Sequence, residues 1–197
     1  MITRPFARGP VLIRNNKRKR NRIALLGGSF NPPHIGHAAI CKWLIDRDIA
    51  DEVWVVPCFV HPLGKKLAPF EHRLEMCKLA LSKVRVPLRI LDIEQKMGGK
   101  SWTLRTIEHL IKHHPEAEFC LITGGDIESE FESWQNFKRI KQLVEIIRIP
   151  RGKGSPIPNV SSTDIRSRIR MGLPYKNLVE IEIAVYVITK ALYRDEE

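Results

Sequence analysis

Short apolar segments alternate with amphipathic segments along most of this 197-residue chain, and this alternation limits the possible fold more than any other feature. Runs such as IALL and VWVV are typical of buried strands, whereas the stretches between them repeat apolar residues at helical spacing. Strands are predicted at residues 22–28, 51–58, 88–94, 117–126 and 144–152. Helices are predicted at residues 37–49, 70–84, 101–114, 131–143, 158–172 and 180–192. Because such alternation produces right-handed crossovers, we expect an α/β fold with a parallel sheet and helices on both faces.

Three loops of unusual composition follow predicted strands. They are residues 27–37 (GGSFNPPHIGH), residues 57–66 (PCFVHPLGKK) and residues 123–126 (TGGD). Ligands of parallel sheets bind beyond the carboxyl ends of the strands, where loops of this kind meet. The sequence therefore predicts one cleft that all three loops line.

The first of these loops has the composition of a ligand-binding turn. Gly27 and Gly28 have no Cβ, so a ligand can approach the backbone closely. The N–H groups of the turn and of the next helix suit phosphate oxygens. The spacing matches neither Gly-x-Gly-x-x-Gly nor the P-loop pattern, which disfavours a dehydrogenase or a P-loop NTPase.

His34 and His37 in this turn allow three interpretations: a metal pair, a cap on the following helix, or a pair of phosphate ligands. A zinc site needs three or four ligands, and no acidic or cysteine partner stands at ligand spacing. As phosphate ligands, the two imidazoles would donate hydrogen bonds and stabilise the charge of a phosphoryl-transfer transition state. The residues alone do not choose between the cap and the phosphate ligands.

A lysine pair in the second loop could add positive charge to the cleft. Lys65 and Lys66 follow the second predicted strand, where a lysine side chain can reach a polyphosphate. A pair of lysines is more often simply solvated, so this feature carries weight only together with the others.

The segment SSTDIR could form a further anion site. The hydroxyls of Ser161 and Ser162 stand at a predicted helix start, and the guanidinium of Arg166 follows one turn later. The alternative is a serine-rich helix cap with a surface arginine. The N-cap residue is predicted to be Ser162 or Thr163, and Gly172 is predicted to follow the helix.

The pair of motifs GGSFNPPHIGH and SSTDIR resembles the nucleotidyltransferase superfamily with the His-x-Gly-His signature. Together with SWT, GGD and SW between them, the chain most resembles the bacterial nicotinate mononucleotide adenylyltransferases, over about residues 22–194. The resemblance implies a Rossmann-like fold and the transfer of AMP from ATP to nicotinate mononucleotide, which gives deamido-NAD and pyrophosphate. The phosphate of the mononucleotide would attack directly, with Mg²⁺ assisting and without a covalent enzyme intermediate. We expect no metal site within the protein itself.

The resemblance also implies a role for particular residues. The residues implied to act on the transferring phosphates are His34, His37, Lys65 and Arg166. The residues implied to bind ATP are Gly27, Gly28, Ser29, Phe30, His34, Gly36, His37, Gly124, Asp126, Ser161, Ser162 and Arg166. The residues implied to bind the mononucleotide are Ser29, Lys65, Trp102, Thr103 and Trp134. The indole of Trp134 would stack on the pyridine ring.

Two features of the site stay open at the level of sequence. Lys65 and Lys66 are equally placed to be the phosphate-binding lysine, because the family often has PPHK where this chain has HPLGKK. The acceptor could be nicotinate mononucleotide, nicotinamide mononucleotide or another phosphate such as pantetheine phosphate. Nicotinate mononucleotide has a carboxylate where nicotinamide mononucleotide has an amide.

The net charge of +11 is concentrated at one end of the chain. Eight of the 33 Lys and Arg residues lie among residues 1–22, which contain no acidic residue. We therefore predict a disordered basic extension at residues 1–21 and a nucleotidyltransferase domain at residues 22–197. The extension could bind nucleic acid, but a nucleic-acid-binding module would leave the motifs unexplained.

The remaining composition indicates a cytoplasmic enzyme. No apolar stretch approaches the roughly 20 residues of a membrane helix, and no secretory signal is predicted. Four cysteines without a Cys-x-x-Cys pair are predicted to be buried free thiols: Cys41, Cys58, Cys77 and Cys120. The sequence predicts no oligomeric state.

Overall fold

The computed structural model describes residues 21–124, 136–150, 152 and 154–194. These residues form five strands: β1 (Arg22–Gly28), β2 (Glu52–Pro57), β3 (Leu88–Ile90), β4 (Glu118–Gly124) and β5 (Glu145–Ile149). They also form seven α-helices: α1 (Ile35–Asp46), α2 (Phe70–Leu81), α3 (Ile93–Met97), α4 (Thr103–His113), α5 (Phe137–Leu143), α6 (Ser162–Arg170) and α7 (Ile181–Thr189). Apart from residue 21, the basic extension lies outside the described residues.

The five strands form one parallel sheet in the order β3-β2-β1-β4-β5. The chain therefore moves outward from β1 to one edge and then returns to the other side of β1 for β4 and β5. This order confirms the predicted α/β, Rossmann-like sheet. It also makes the carboxyl ends of β1 and β4 the point where the strand order reverses, which is where open sheets of this class bind ligands.

Helices cover both faces of the sheet, as the continuous apolar run of β1 predicts. Ile23 and Leu25 belong to a core shared with α4 and α5. Ala24 and Leu26 point to the opposite core, which includes side chains of α1, α2, α6 and α7. The predicted free thiols are confirmed, because all four cysteines are buried and unpaired with one another. No helix among the described residues is long and apolar enough to cross a membrane.

Two local predictions are wrong. The strand predicted at residues 88–94 ends at Ile90, and the chain then forms α3, which buries the carboxylate of Glu94. The N-cap residue of α6 is Ser161 rather than Ser162 or Thr163, because Ser161 has extended backbone and its Oγ accepts the N–H of Asp164 at 3.1 Å. Gly172 does follow α6, in the left-handed conformation expected there.

Candidate active site

A crevice opens between β1 and β4 at their carboxyl ends. The pairing of these two strands stops at Leu25 and Leu121. On the outer sides, the pairing of β1 with β2 continues to Gly28, and the pairing of β4 with β5 continues to Gly124. The two central strands therefore separate over their last three residues, and the predicted ligand-binding turn begins at the mouth of this gap.

The two histidines of the turn form a stacked pair at the start of α1. His34 is buried and has extended backbone, and its N–H donates to Nδ1 of His37 at 3.1 Å. The two ring centroids are 3.8 Å apart. Because Nδ1 of His37 accepts this hydrogen bond, a neutral His37 carries its proton on Nε2, which makes Nε2–H the donor of this ring. The predicted helix cap therefore exists, and it fixes the orientation of the His37 ring.

The glycines of the turn serve two different purposes. A Cβ added to Gly36 would lie 3.0 Å from Nδ1 and Cε1 of His34, so glycine is needed there for the histidine to pack. A Cβ added to Gly28 would lie 3.3 Å from the ring of Phe30, which in turn packs on His37. At Gly27, by contrast, an added Cβ would meet no described atom within 4 Å. Of these three glycines, Gly27 is therefore the one that has open space beside it among the described residues.

The start of α6 packs directly against this turn. The Oγ of Ser162 donates to the carbonyl oxygen of Pro32 at 2.8 Å, and Nη1 of Arg166 donates to that of Asn31 at 2.7 Å. Arg166 is buried. The structure thus brings SSTDIR and GGSFNPPHIGH together. In addition to any contact with phosphate, Ser162 and Arg166 hold the backbone of the turn.

A small cleft separates the turn from the segment that precedes α6. Its walls combine the two imidazoles with aliphatic side chains from α1, β5 and residues 157–160. Six of the side chains that line it are His34, His37, Ile40, Ile149, Ile157 and Val160. Apolar walls beside a pair of hydrogen-bond donors suit a flat base attached to a phosphate chain.

The loop at residues 59–66 is exposed at its tip and attached at its base. The side chains of Lys65 and Lys66 are exposed. Partial burial and the positive charge of Lys65 lower the pKa of His61 in the same loop. At the base, the N–H of Phe59 donates to Oγ of Ser101 at 2.8 Å.

This attachment joins the loop to the start of α4, where Trp102 and Thr103 lie half-buried. Val60 forms a parallel bridge with Lys100, and Ser101 donates its N–H to the carbonyl oxygen of Val60 at 2.9 Å. The base of the loop and the start of α4 are therefore neighbours, whereas Lys65 lies at the exposed tip of the loop. Asp126 and Trp134 lie outside the described residues, and Gly124 is the last residue of β4.

Comparison with known proteins identifies the family. Residues 25–168 match the family model described as cytidylyltransferase-like. The chain is 41% identical over 181 residues to a protein of Anaeromyxobacter dehalogenans named "Probable nicotinate-nucleotide adenylyltransferase", with 87% of this chain and 96% of that protein covered. The chain belongs to the nicotinate-nucleotide adenylyltransferase family. A protein of Myxococcus xanthus with the same name is 35% identical and covers 87% of this chain.

Solved structures show that the fold is that of the family. Plasmodium falciparum nicotinic acid mononucleotide adenylyltransferase complexed with NaAD superposes with a TM-score of 0.73 and covers 88% of this chain, at 20% sequence identity. The same enzyme complexed with APC gives the same TM-score. The resemblance stated from the motifs is thereby confirmed for the family and for the fold.

Sequence reasoning missed Arg73, which lies beneath this adenylyltransferase site. The side chain is 1% exposed, and burial lowers its pKa. Within the described part of the chain it donates four hydrogen bonds to backbone carbonyl oxygens of residues at both loops: Ser29, Cys58, Phe59 and Ala68. An arginine on the apolar face of α2, between Phe70 and Cys77, was the sequence feature that could have indicated a buried role.

Asn31 and Glu94 were also missed, because their partners are remote in sequence. Asn31 is fully buried, and its Oδ1 accepts the N–H of Ala68 at 3.1 Å. Glu94 accepts the hydroxyl of Thr106 at 2.8 Å and the N–H of Phe59 at 3.2 Å. Asn31 and Glu94 therefore hold the two ends of the segment that carries Lys65 and Lys66.

Among the residues that the structure describes, no group of three or more His, Cys, Asp or Glu side chains could hold a metal ion. His34 stacks on His37, and His37 also packs on Phe30.

Proposed function

We propose that the protein transfers AMP from ATP to nicotinate mononucleotide and so produces deamido-NAD and pyrophosphate. The observation that carries the proposal is the stacked histidine pair, held at the crevice where the strand order reverses. The similarity to relatives that are named for this activity supports it. We also propose that the enzyme acts in the cytoplasm, where the four free thiols would stay reduced.

The chemistry is a direct displacement at phosphorus. A phosphate oxygen of the mononucleotide attacks the α-phosphorus of ATP, and the bond from that phosphorus to the bridging α–β oxygen breaks as pyrophosphate leaves. The nucleophile is already an anion, so no general base is required. Two anions must instead be brought together, and catalysis rests on positioning and on positive charge.

Each donor of the turn and of α6 has a part in that step. The Nε2–H group of His37, oriented by the hydrogen bond at its Nδ1, donates to an ATP phosphate oxygen as charge develops. His34 lines the same cleft. Ser161, Ser162 and the guanidinium of Arg166 stand at the N-terminus of α6, where the helix dipole also favours the β- and γ-phosphates.

Mg²⁺ enters this scheme as part of the MgATP substrate. Magnesium ions commonly keep several waters and bind through substrate phosphates, so a site without a cage of carboxylates fits this form. When bound, the ion neutralises part of the charge on the leaving pyrophosphate. The described residues contribute donors and cations around it rather than a metal cage.

The acceptor is proposed to lie between the loop at residues 59–66 and the start of α4. Trp102 is the N-cap residue of α4, no side chain caps the helix, and its first turn contains no acidic residue. A helix N-terminus of this kind favours an anion, and the carboxylate of nicotinate is one whereas the amide of nicotinamide is not. Lys65 would bind the phosphate of the acceptor, and Trp134 would stack on its ring.

Pyrophosphate release tests the proposal. The protein is incubated with ATP and Mg²⁺ and with one of three acceptors: nicotinate mononucleotide, nicotinamide mononucleotide or pantetheine phosphate. We expect the highest kcat/KM with nicotinate mononucleotide, and no release when ATP or Mg²⁺ is omitted. Absence of release with both pyridine nucleotides would refute the proposal, and a preference for pantetheine phosphate would reassign the acceptor.

A further inference from the structure

The segment that follows α7 folds back onto the turn that carries the histidines. After α7 ends at Thr189, the chain reverses and buries the side chain of Tyr193, which is 5% exposed. The hydroxyl of Tyr193 donates to Oδ1 of Asn31 at 2.9 Å. Asn31 precedes His34 by three residues, so this hydrogen bond joins a distant segment to the active-site turn.

The backbone of this segment delivers the phenol ring to that position. Tyr193 has φ +65° and Ala191 has φ +50°, both in the left-handed region that residues other than glycine rarely adopt. Such conformations persist only where the surrounding structure holds them. The N–H of Leu192 donates to the carbonyl oxygen of Val187 at 3.0 Å, which anchors the reversal to α7.

Asn31 forms hydrogen bonds both with Tyr193 and with other residues that hold the turn in place. Its Oδ1 accepts from both Tyr193 and the N–H of Ala68, and two donors identify this atom as the amide oxygen. The backbone carbonyl oxygen of Asn31 accepts a hydrogen bond from Nη1 of Arg166. The side chain of Asn31 is fully buried, so the loss of one support cannot be replaced by bulk water without opening the turn.

We propose that Tyr193 is a positioning residue for adenylyl transfer: its hydrogen bond to Asn31 sets the turn that places His34 and His37. This inference rests on the proposed function. The two imidazoles act on charge that develops during transfer, so a small displacement lowers kcat more than it weakens substrate binding. Tyr193 itself need not touch either substrate.

The test compares two tyrosine variants that each lose one hydroxyl. Tyr193→Phe keeps the ring and removes the hydrogen bond to Asn31. Tyr186→Phe is the matched control, because its hydroxyl bonds Nδ1 of His72 on α2 at 2.9 Å. We expect Tyr193→Phe to lower kcat about tenfold with both KM values changed less than about twofold, and Tyr186→Phe to keep the kcat of the parent protein.

Amide hydrogen exchange gives a second readout that does not depend on activity. Residues 27–37 should exchange faster in Tyr193→Phe than in the parent protein, and at the parent rate in Tyr186→Phe. Parent-like kcat and exchange in Tyr193→Phe would overturn the proposal, as would equal losses of kcat in both variants. If the parent protein itself releases no pyrophosphate, the proposed function fails, while the exchange comparison still decides whether Tyr193 holds the turn.

Discussion

The turn at residues 27–37 and the loop at residues 59–66 are both proposed to contact the substrates, but they are built in opposite ways. Asn31 and His34 are buried, and the carbonyl oxygens of the turn accept hydrogen bonds from α2 and α6. In the loop, Leu63 is 82% exposed, and both lysines are exposed. The turn is therefore set before substrate binds, whereas ordering the lysines costs conformational entropy at the moment of binding.

This contrast assigns different kinetic effects to the two regions. Donors that are fixed in advance stabilise the transition state without reorganisation, so their loss should appear in kcat. Lysines that become ordered on the substrate should act mainly on KM. Variants of the turn should therefore lower kcat, and variants of the loop should raise KM.

Replacing His37 by alanine should have the largest effect. His37→Ala removes a preoriented donor, and we expect kcat to fall by about 100- to 1,000-fold. It also removes the acceptor for the N–H of His34, so the free energy of unfolding should fall by about 1 kcal/mol. Steady-state kinetics and denaturant unfolding measure the two quantities.

The exposed residue His113 offers the control for this change. His113→Ala should keep the kinetics of the parent protein, because the described contacts of its ring, a hydrogen bond to the carbonyl oxygen of His109 and stacking on the His109 ring, lie within its own helix. A parent-like kcat in His37→Ala would show that this histidine of the turn does not contribute to catalysis.

Replacing Arg73 by methionine should affect both regions at once. Arg73 bonds Ser29 in the turn and Cys58 and Phe59 at the base of the loop. Arg73→Met leaves these buried carbonyl groups without their donor, and we expect the free energy of unfolding to fall by about 3 kcal/mol or more. The exposed residue Arg85 provides the control, and Arg85→Met should change stability by less than about 0.5 kcal/mol. Equal stability of the two variants would show that Arg73 does not join the regions.

A smaller change to the turn should lower activity without unfolding the protein. Gly36→Ala places a methyl group 3.0 Å from the ring of His34, so that ring must shift. Alanine also favours helix at this position in α1, which offsets part of the strain in the folded state. We expect kcat to fall about tenfold while the melting temperature changes little.

Gly27→Ala distinguishes steric crowding of the histidine from crowding of the substrate. An added Cβ at Gly27 meets no described atom, so the NMR signals of His34 should stay unchanged without ligand, whereas Gly36→Ala should shift them. Unshifted signals in Gly36→Ala would contradict the packing argument.

The loop lysines should give the smallest effect, and it should fall on binding. Lys65→Ala should raise the KM for the mononucleotide about fivefold with little change in kcat or stability, since the side chain is exposed. Lys66→Ala made in parallel decides which lysine binds phosphate, because only one should raise this KM strongly. A fall in kcat as large as that of His37→Ala would mean that the loop is as fixed as the turn.

The features that sequence reasoning found are those that local chemistry determines. The apolar periodicity of the strands predicted the sheet, because burial on both faces leaves a continuous apolar run in β1. The strand predicted at residues 88–94 was too long, because Leu91 and Ile93 continue the apolar pattern while Glu94 is drawn inward by Thr106 and Phe59. Glycine and histidine in a loop after a strand were recognisable without the fold.

The supports of the site could not be predicted in the same way. The hydrogen bond of Tyr193 joins it to Asn31, which is 162 positions away in the sequence. Arg73 bonds backbone carbonyl groups, which have no sequence signature. Ser162 and Arg166 were predicted to be phosphate ligands, but their hydrogen bonds to the turn depend on how α6 packs. The roles of Asp126 and Trp134, outside the described residues, stay predictions.

A crystal structure with a non-hydrolysable ATP analogue and nicotinate mononucleotide would show whether the turn is preset and the loop becomes ordered on the substrate. We predict that Nε2 of His37 lies within about 3.2 Å of an ATP phosphate oxygen. We also predict that the backbone of residues 27–37 is unchanged from the unliganded protein, while residues 59–66 move onto the acceptor. A rearranged turn beside an unmoved loop, or phosphates bound away from both histidines, would contradict these predictions.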